Sequence, residues 1–223
     1  MAKATGKRYD QYCPVARTLD AVGERWTLLI VRDLLMGPKR YTDLRAGLPG
    51  IATDILTARL RTLEQAGFVR RRELPRPAPA TVYELTEPGL GLAPAILALG
   101  RVGLSTLGGP RRGEDVRAER IMIGLRVSFH QDEFPDLNET YELTVDGEPF
   151  TVEVSNGLVQ TRTGTAADPA IRLRTDAGTL AGLLDGDVSS AAALENGRAE
   201  LEGERRALTH FVEAFAFPTA TSA

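Results

Sequence analysis

The chain has 223 residues, 43% of them hydrophobic, and a formal net charge of −3, long enough for two domains that each bury a core. Its one cysteine, Cys13, excludes an intramolecular disulfide, and its two histidines, His130 and His210, lie far apart and leave no metal-ligand spacing. Apolar runs are only a few residues long and residues 1–9 are polar and basic, so neither a membrane span nor a signal peptide is expected, and the reading is a cytoplasmic protein without a cofactor.

Residues 14–22 place Val15, Leu19 and Val22 at spacings of four and three, an amphipathic helix with Pro14 in its first turn and Gly23 at its end. Trp26, Leu29, Ile30 and Leu34 continue a second helix to Leu35, stopped by Gly37-Pro38, with Trp26 read as a core residue. A short helix over 41–46, the turn Gly47-Leu48-Pro49-Gly50 and a helix over 53–66 follow, the last with Ile55, Leu56, Leu60 and Leu63 on one stripe and Thr53, Asp54, Thr57, Ala58 and Arg61 on the other side. Residues 68–74 and 81–86 then alternate as a hairpin with a proline-rich tip and an arginine cluster. Helix, turn, helix and basic hairpin is a winged helix-turn-helix, whose second helix enters the major groove. Charge agrees: residues 1–110 hold 16 Lys or Arg against 10 Asp or Glu, while residues 111–223 hold 11 against 20, so only the first half suits a polyanion.

Tyr12-Cys13-Pro14, Gly23-Glu24-Arg25-Trp26, Gly37-Pro38, Asp43-Leu44-Arg45, Leu56-Thr57-Ala58-Arg59-Leu60, Leu63-Glu64-Gln65-Ala66-Gly67 and Tyr83-Glu84-Leu85-Thr86, in this order and spacing, resemble the HxlR-type winged-helix regulators over residues 8–107. The resemblance implies a homodimer, held by a helix over 90–107, that presents two recognition helices to a palindromic operator in double-stranded DNA. Val102 stands where that family usually has tryptophan.

Beyond a linker at 108–116, strict alternation at Ile121, Ile123, Leu125, Val127 and Phe129 reads as a strand. Further strands surround Tyr141 to Val145, Phe150 to Val154, residues 158–162, and Ile171 with Leu173, joined by Asp146-Gly147 and Asn156-Gly157 turns. Helices begin at Asp176 and at Ser189 or Ser190, and Ala199, Leu201 and Gly203 precede a last helix with Leu208, Phe211, Val212 and Phe215. The expected fold is a mainly α winged helix-turn-helix domain followed by an α+β domain with an antiparallel sheet covered by helices. Ala170-Ile171-Arg172-Leu173, Leu184-Asp185-Gly186, Glu195-Asn196-Gly197 and Leu201-Glu202-Gly203-Glu204 make residues 117–217 resemble the sterol-carrier-protein type of domain, which implies an apolar tunnel for a hydrophobic small-molecule effector.

The DNA-binding candidates are Arg40, Thr53, Asp54, Thr57, Arg59, Arg61, Arg70, Arg71, Arg72 and Arg76, with Arg61 suited to guanine and the hairpin arginines to phosphate. The ligand-pocket candidates are Phe129, Leu143, Phe150, Val152, Ile171, Leu173, Leu180, Leu184, Phe211 and Phe215, side chains that could equally fill a solid core. No nucleophile has a base partner and no phosphate loop follows a strand, so the chain reads as a regulator and not an enzyme. Two alternatives stay open: a hydrophobic-ligand carrier dimerised through its winged helix, and a regulator that senses oxidants through Cys13, a role the resemblance allows, with Arg8, Arg17 and Arg25 near in sequence to stabilise a thiolate.

Overall fold

A computed structural model describes residues 8–75 and 79–217. The chain divides into two compact units, one ending at Ile96 and the other beginning at Leu97. Among the described residues, no helix is long and apolar enough to cross a membrane.

The first unit starts with α1 (Pro14–Val22), whose proline sits where a helix leaves the N–H without a partner anyway. Next come α2 (Thr27–Leu34), β1 (Lys39–Arg40), α3 (Tyr41–Gly47), α4 (Thr53–Gln65), β2 (Val69–Leu74), β3 (Ala80–Leu85), α5 (Glu87–Leu90) and α6 (Ala93–Leu104), the last of which continues past the boundary at Ile96. Trp26 is not inside α2: it is the cap before it, in the left-handed region at φ 79°, and packs half-buried against the core. The core is built from Ile30, Leu44, Leu48, Leu56, Leu60 and Leu63, each at most 1% exposed. Truncating any of these to alanine should cost roughly 2–5 kcal/mol. The three strands form an antiparallel sheet in the order β1-β3-β2.

The helix expected over 90–107 is α6, which starts at Ala93 and ends at Leu104, and a separate short helix, α5, comes just before it. Thr86 caps α5 by accepting from Gly89 N, and the chain turns at Gly91-Leu92 before α6 begins at Ala93. Pro88 is in the first turn, where proline is tolerated, while the glycines on either side of Leu90 are poor helix formers and go with an α5 of only four residues. Arg76 lies outside the described residues.

The second unit contains α7 (Ala118–Ser128), β4 (Glu139–Val145), β5 (Glu148–Ser155), β6 (Leu158–Thr163), β7 (Ile171–Thr175), α8 (Ala177–Asp185), α9 (Ser190–Glu195), β8 (Ala199–Gly203) and α10 (Arg205–Phe215). The strand expected at 121–129 is the helix α7. It is buried on several sides, through Ala118, Ile121, Met122, Ile123, Leu125 and Val127, so its apolar positions satisfy a period of two and a helical period at once. Residues 199–203, expected only to precede the last helix, form the edge strand β8.

The sheet order is β6-β5-β4-β7-β8, and it is mixed where a purely antiparallel sheet was expected, because β4 and β7 run parallel. Two hairpins carry the chain through β5 to β6. Residues 164–170 then travel back along the sheet, from a Gly164 N–H bonded to Pro149 O to an Ala170 N–H bonded to Thr140 O, so β7 starts at the same end as β4. Tyr141, Leu143, Phe150, Val152, Ile171 and Leu173 share one apolar face, because residues opposite each other in register point the same way.

Candidate nucleic-acid interface

The helix-turn-helix geometry is set locally. Asp43 accepts a 3.0 Å bond from Arg40 N and closes the start of α3. The turn to α4 relies on Gly50 at φ 86°, a conformation that a side chain would strain. Leu56, Leu60 and Leu63 pin the inner stripe of α4 to the core, so Thr53, Asp54, Thr57, Ala58 and Arg61 are all exposed on the outer stripe, as their spacing predicts. Tyr41 ties the two helices together, its hydroxyl donating to Thr53 O at 2.9 Å and lying 3.3 Å from Thr57 Oγ1. Arg40 is exposed where β1 passes into α3. Arg59 turns elsewhere: its Nη2 is 3.4 Å from Glu24 Oε2 and its Nε is buried without a hydrogen bond.

The hairpin follows α4 directly and separates its arginines by strand alternation. Arg70 and Arg72 lie on one side, where their Nε atoms reach the two oxygens of Glu84 at 2.7 Å each. These bonds, that of Arg72 foremost, hold the Glu84 carboxyl below its ordinary pKa. Arg71 lies on the other side, 2.9 Å from Glu64 and stacked 5.3 Å from the ring centre of Tyr83, its register partner. Burial pushes the Tyr83 phenol above its ordinary pKa, against the opposing pull of Arg71. Glu84, Glu64, Tyr83 and Tyr41 were not among the DNA-binding candidates, although the first three stand in the motifs that carry the family resemblance. Their roles follow from hairpin register and helix crossing, and the alternation at Arg70–Arg72 was the one available signal.

Cys13 is a half-buried free thiol at the cap position of α1, where its carbonyl accepts from Arg17 N. In the second unit the structure brings the ten pocket candidates into one layer between the sheet and its helices. All are buried except the half-buried Phe129. The aromatic members meet closely, with centroids 5.5 Å apart for Phe129 and Phe215 and 5.0 Å apart for Phe211 and Phe215. Tyr141, not among the candidates, joins them at 5.0 Å from Phe211. Its hydroxyl and Glu139 Oε2 are buried without a hydrogen bond of good geometry. Burial first, and the nearby Glu139 carboxylate second, push the phenol well above its ordinary pKa. A separate cavity of about 470 Å³ opens at the end of the sheet, with a polar wall that includes Asn138, Glu139, Thr140, Glu153, Ser155 and Asp168 and none of the ten candidates.

Two family models match the chain: HxlR-like helix-turn-helix over residues 21–108, and alkyl sulfatase C-terminal over residues 123–221. The second match falls on the region whose residues resemble the sterol-carrier type, and it names the alkyl sulfatase family instead. An HTH-type transcriptional regulator of Synechocystis sp. is 35% identical over 91 residues, 41% of this chain and 67% of the relative. The HTH-type transcriptional regulator YvaP of Bacillus subtilis is 36% identical over 87 residues, 39% of this chain and 81% of the relative. The solved structure of the redox regulator HypR in its oxidised form is 36% identical, covering 42% of this chain and 96% of its own with a TM-score of 0.39. Helix-turn-helix, wing and sequence kinship agree, and through residues 21–108 the chain belongs to the HxlR-like helix-turn-helix family of DNA-binding transcription regulators.

Proposed function

We propose that the chain binds a palindromic operator in double-stranded DNA as a homodimer through residues 8–107, and that a hydrophobic small molecule held by residues 117–217 modulates this binding. The observation that carries the DNA reading is the exposed stripe Thr53, Asp54, Thr57, Ala58 and Arg61 on α4, followed at once by a hairpin with three consecutive arginines. The stripe offers base-reading side chains at the start of the second helix of the motif, and the hairpin offers charge to phosphates. Exposed apolar side chains on α6 support the dimer: Leu99 is 57% and Val102 74% exposed, an unfavourable display unless a second copy covers it. For the effector, the second unit offers an apolar layer around Phe211 and Phe215, whose rings meet at 5.0 Å, so an apolar molecule would be admitted by parting these side chains.

The test is fluorescence anisotropy with the duplex upstream of the chain's own gene, titrated at several salt concentrations and followed by footprinting. Each neutralised phosphate should add about −0.9 to the log-log salt slope, and protection should cover two half-sites about one helical turn, or a multiple of it, apart. A flat salt response, or protection of one unsymmetrical half-site, would contradict the reading.

A further inference from the structure

We infer that Thr57 reads a thymine through its methyl group, its hydroxyl being withheld from the base edges. The inference rests on the DNA-binding reading above and adds the chemistry of one contact to it. Thr57 Oγ1 donates its only proton to Thr53 O at 2.8 Å. The oxygen lies 3.3 Å from the Tyr41 hydroxyl, which spends its own proton on the same carbonyl at 2.9 Å. A threonine in a helix has few χ1 choices, and a bond to the carbonyl four residues back selects one of them. The hydroxyl thus has no proton left for a base acceptor, and its oxygen, still an acceptor, has the Tyr41 hydroxyl of α3 beside it at 3.3 Å, so the group is engaged along the helix and α3. The remaining group of this exposed residue is the methyl.

Ala58, exposed beside it, offers only a methyl as well, while Asp54 and Arg61 stand one turn to either side. The middle of the stripe is therefore a small apolar patch in polar surroundings. In the major groove the apolar group on a base edge is the C5-methyl of thymine; guanine, adenine and cytosine present only donors and acceptors, which two methyl groups cannot satisfy. Tyr41 acts here as a positioning residue, fixing Thr57 without touching DNA.

The experiment begins with duplexes enriched by the full-length protein from a random-sequence library. Each thymine of the enriched half-site is then replaced in turn by uracil, which lacks the methyl, and affinity is measured for the wild type, Thr57→Ser and Thr57→Val. One thymine should show a loss of about fourfold per half-site on conversion to uracil, the ratio expected for burying one methyl group. Thr57→Ser should bind the thymine duplex about fourfold more weakly and be indifferent to the uracil change, the non-additivity of two groups in contact. Thr57→Val, which keeps a methyl, should retain the discrimination. If a sequence is enriched but no uracil weakens binding, or Thr57→Ser discriminates as the wild type does, the inference is overturned while the DNA reading stands. If no sequence is enriched, the DNA reading falls and the inference with it.

Discussion

Glu84 divides its two oxygens between Arg70 and Arg72, at 2.7 Å each, and so removes one unit of positive charge from the hairpin side that carries them. Both arginines stay largely exposed, so the pairing contributes little to stability; its larger effect is on the field seen by DNA. Glu84→Gln keeps the shape and removes the charge. It should strengthen binding to any duplex and steepen the log-log salt slope by up to about 0.9, measured by anisotropy on a random-sequence duplex. An unchanged slope would mean that Arg70 and Arg72 leave Glu84 on binding in either protein. Tyr141 poses the opposite problem, a fully buried hydroxyl without a well-formed hydrogen bond. Tyr141→Phe removes a desolvated hydroxyl that has only a poorly formed contact with the Glu139 carboxylate, so urea unfolding at pH 8 should show stability unchanged or raised. The pH dependence has a definite sign. A phenol whose pKa is raised in the folded state contributes its stability fully below its unfolded value, near 10, and loses it as pH climbs beyond that value. The alkaline loss of stability should therefore be smaller in Tyr141→Phe than in the wild type, and equal losses would place the titrating group elsewhere.

Elements that obey local rules were legible in the sequence. Pro14 and Gly23 bound α1, Asp176 and Ser189 cap α8 and α9 through their side chains, and the alternation of β4 and β5 is plain. What could not be read depends on distant partners. Whether Ile121, Ile123, Leu125 and Val127 make a strand or an enclosed helix is decided by what surrounds them, and the parallel pairing of β7 with β4 by the path of residues 164–170. The candidate interface divides in the same way. The outer stripe of α4 follows from a period of 3.6, whereas the partners of the hairpin arginines depend on the register of β2 against β3. The helix α6 supplies a prediction at this scale. Val102 is 74% exposed, so Val102→Glu costs an isolated chain little, yet it would bury a charge in a dimer interface. Sedimentation should show the wild type as a dimer and Val102→Glu as mainly monomer at the same concentration, with operator affinity falling at least tenfold. A variant that stays dimeric would move the interface away from this face of α6.

For the molecule as a whole, the two functions proposed are linked by thermodynamics whatever the arrangement of the units. A compound that binds the folded chain and not the unfolded one must raise the unfolding midpoint, by the equivalent of about 2.7 kcal/mol at 100 times its dissociation constant. That alone identifies a ligand without making it an effector. An effector must also change DNA affinity, and the factor by which it does so must equal the factor by which DNA changes affinity for the compound. Dodecanol and dodecanoate, screened by thermal unfolding and then titrated with and without operator duplex, provide both factors. Equal factors other than one establish coupling, while a raised midpoint with both factors at one makes the second unit a carrier that happens to share a chain with a regulator. Charge adds an independent check, because residues 111–223 carry 11 Lys or Arg against 20 Asp or Glu and repel a polyanion. Dodecanol is uncharged and leaves that repulsion as it is, so dodecanol coupling that runs through a change in the DNA-reading stripe should persist at raised salt, and coupling that vanishes with salt would trace the response to charge rather than to the presentation of α4.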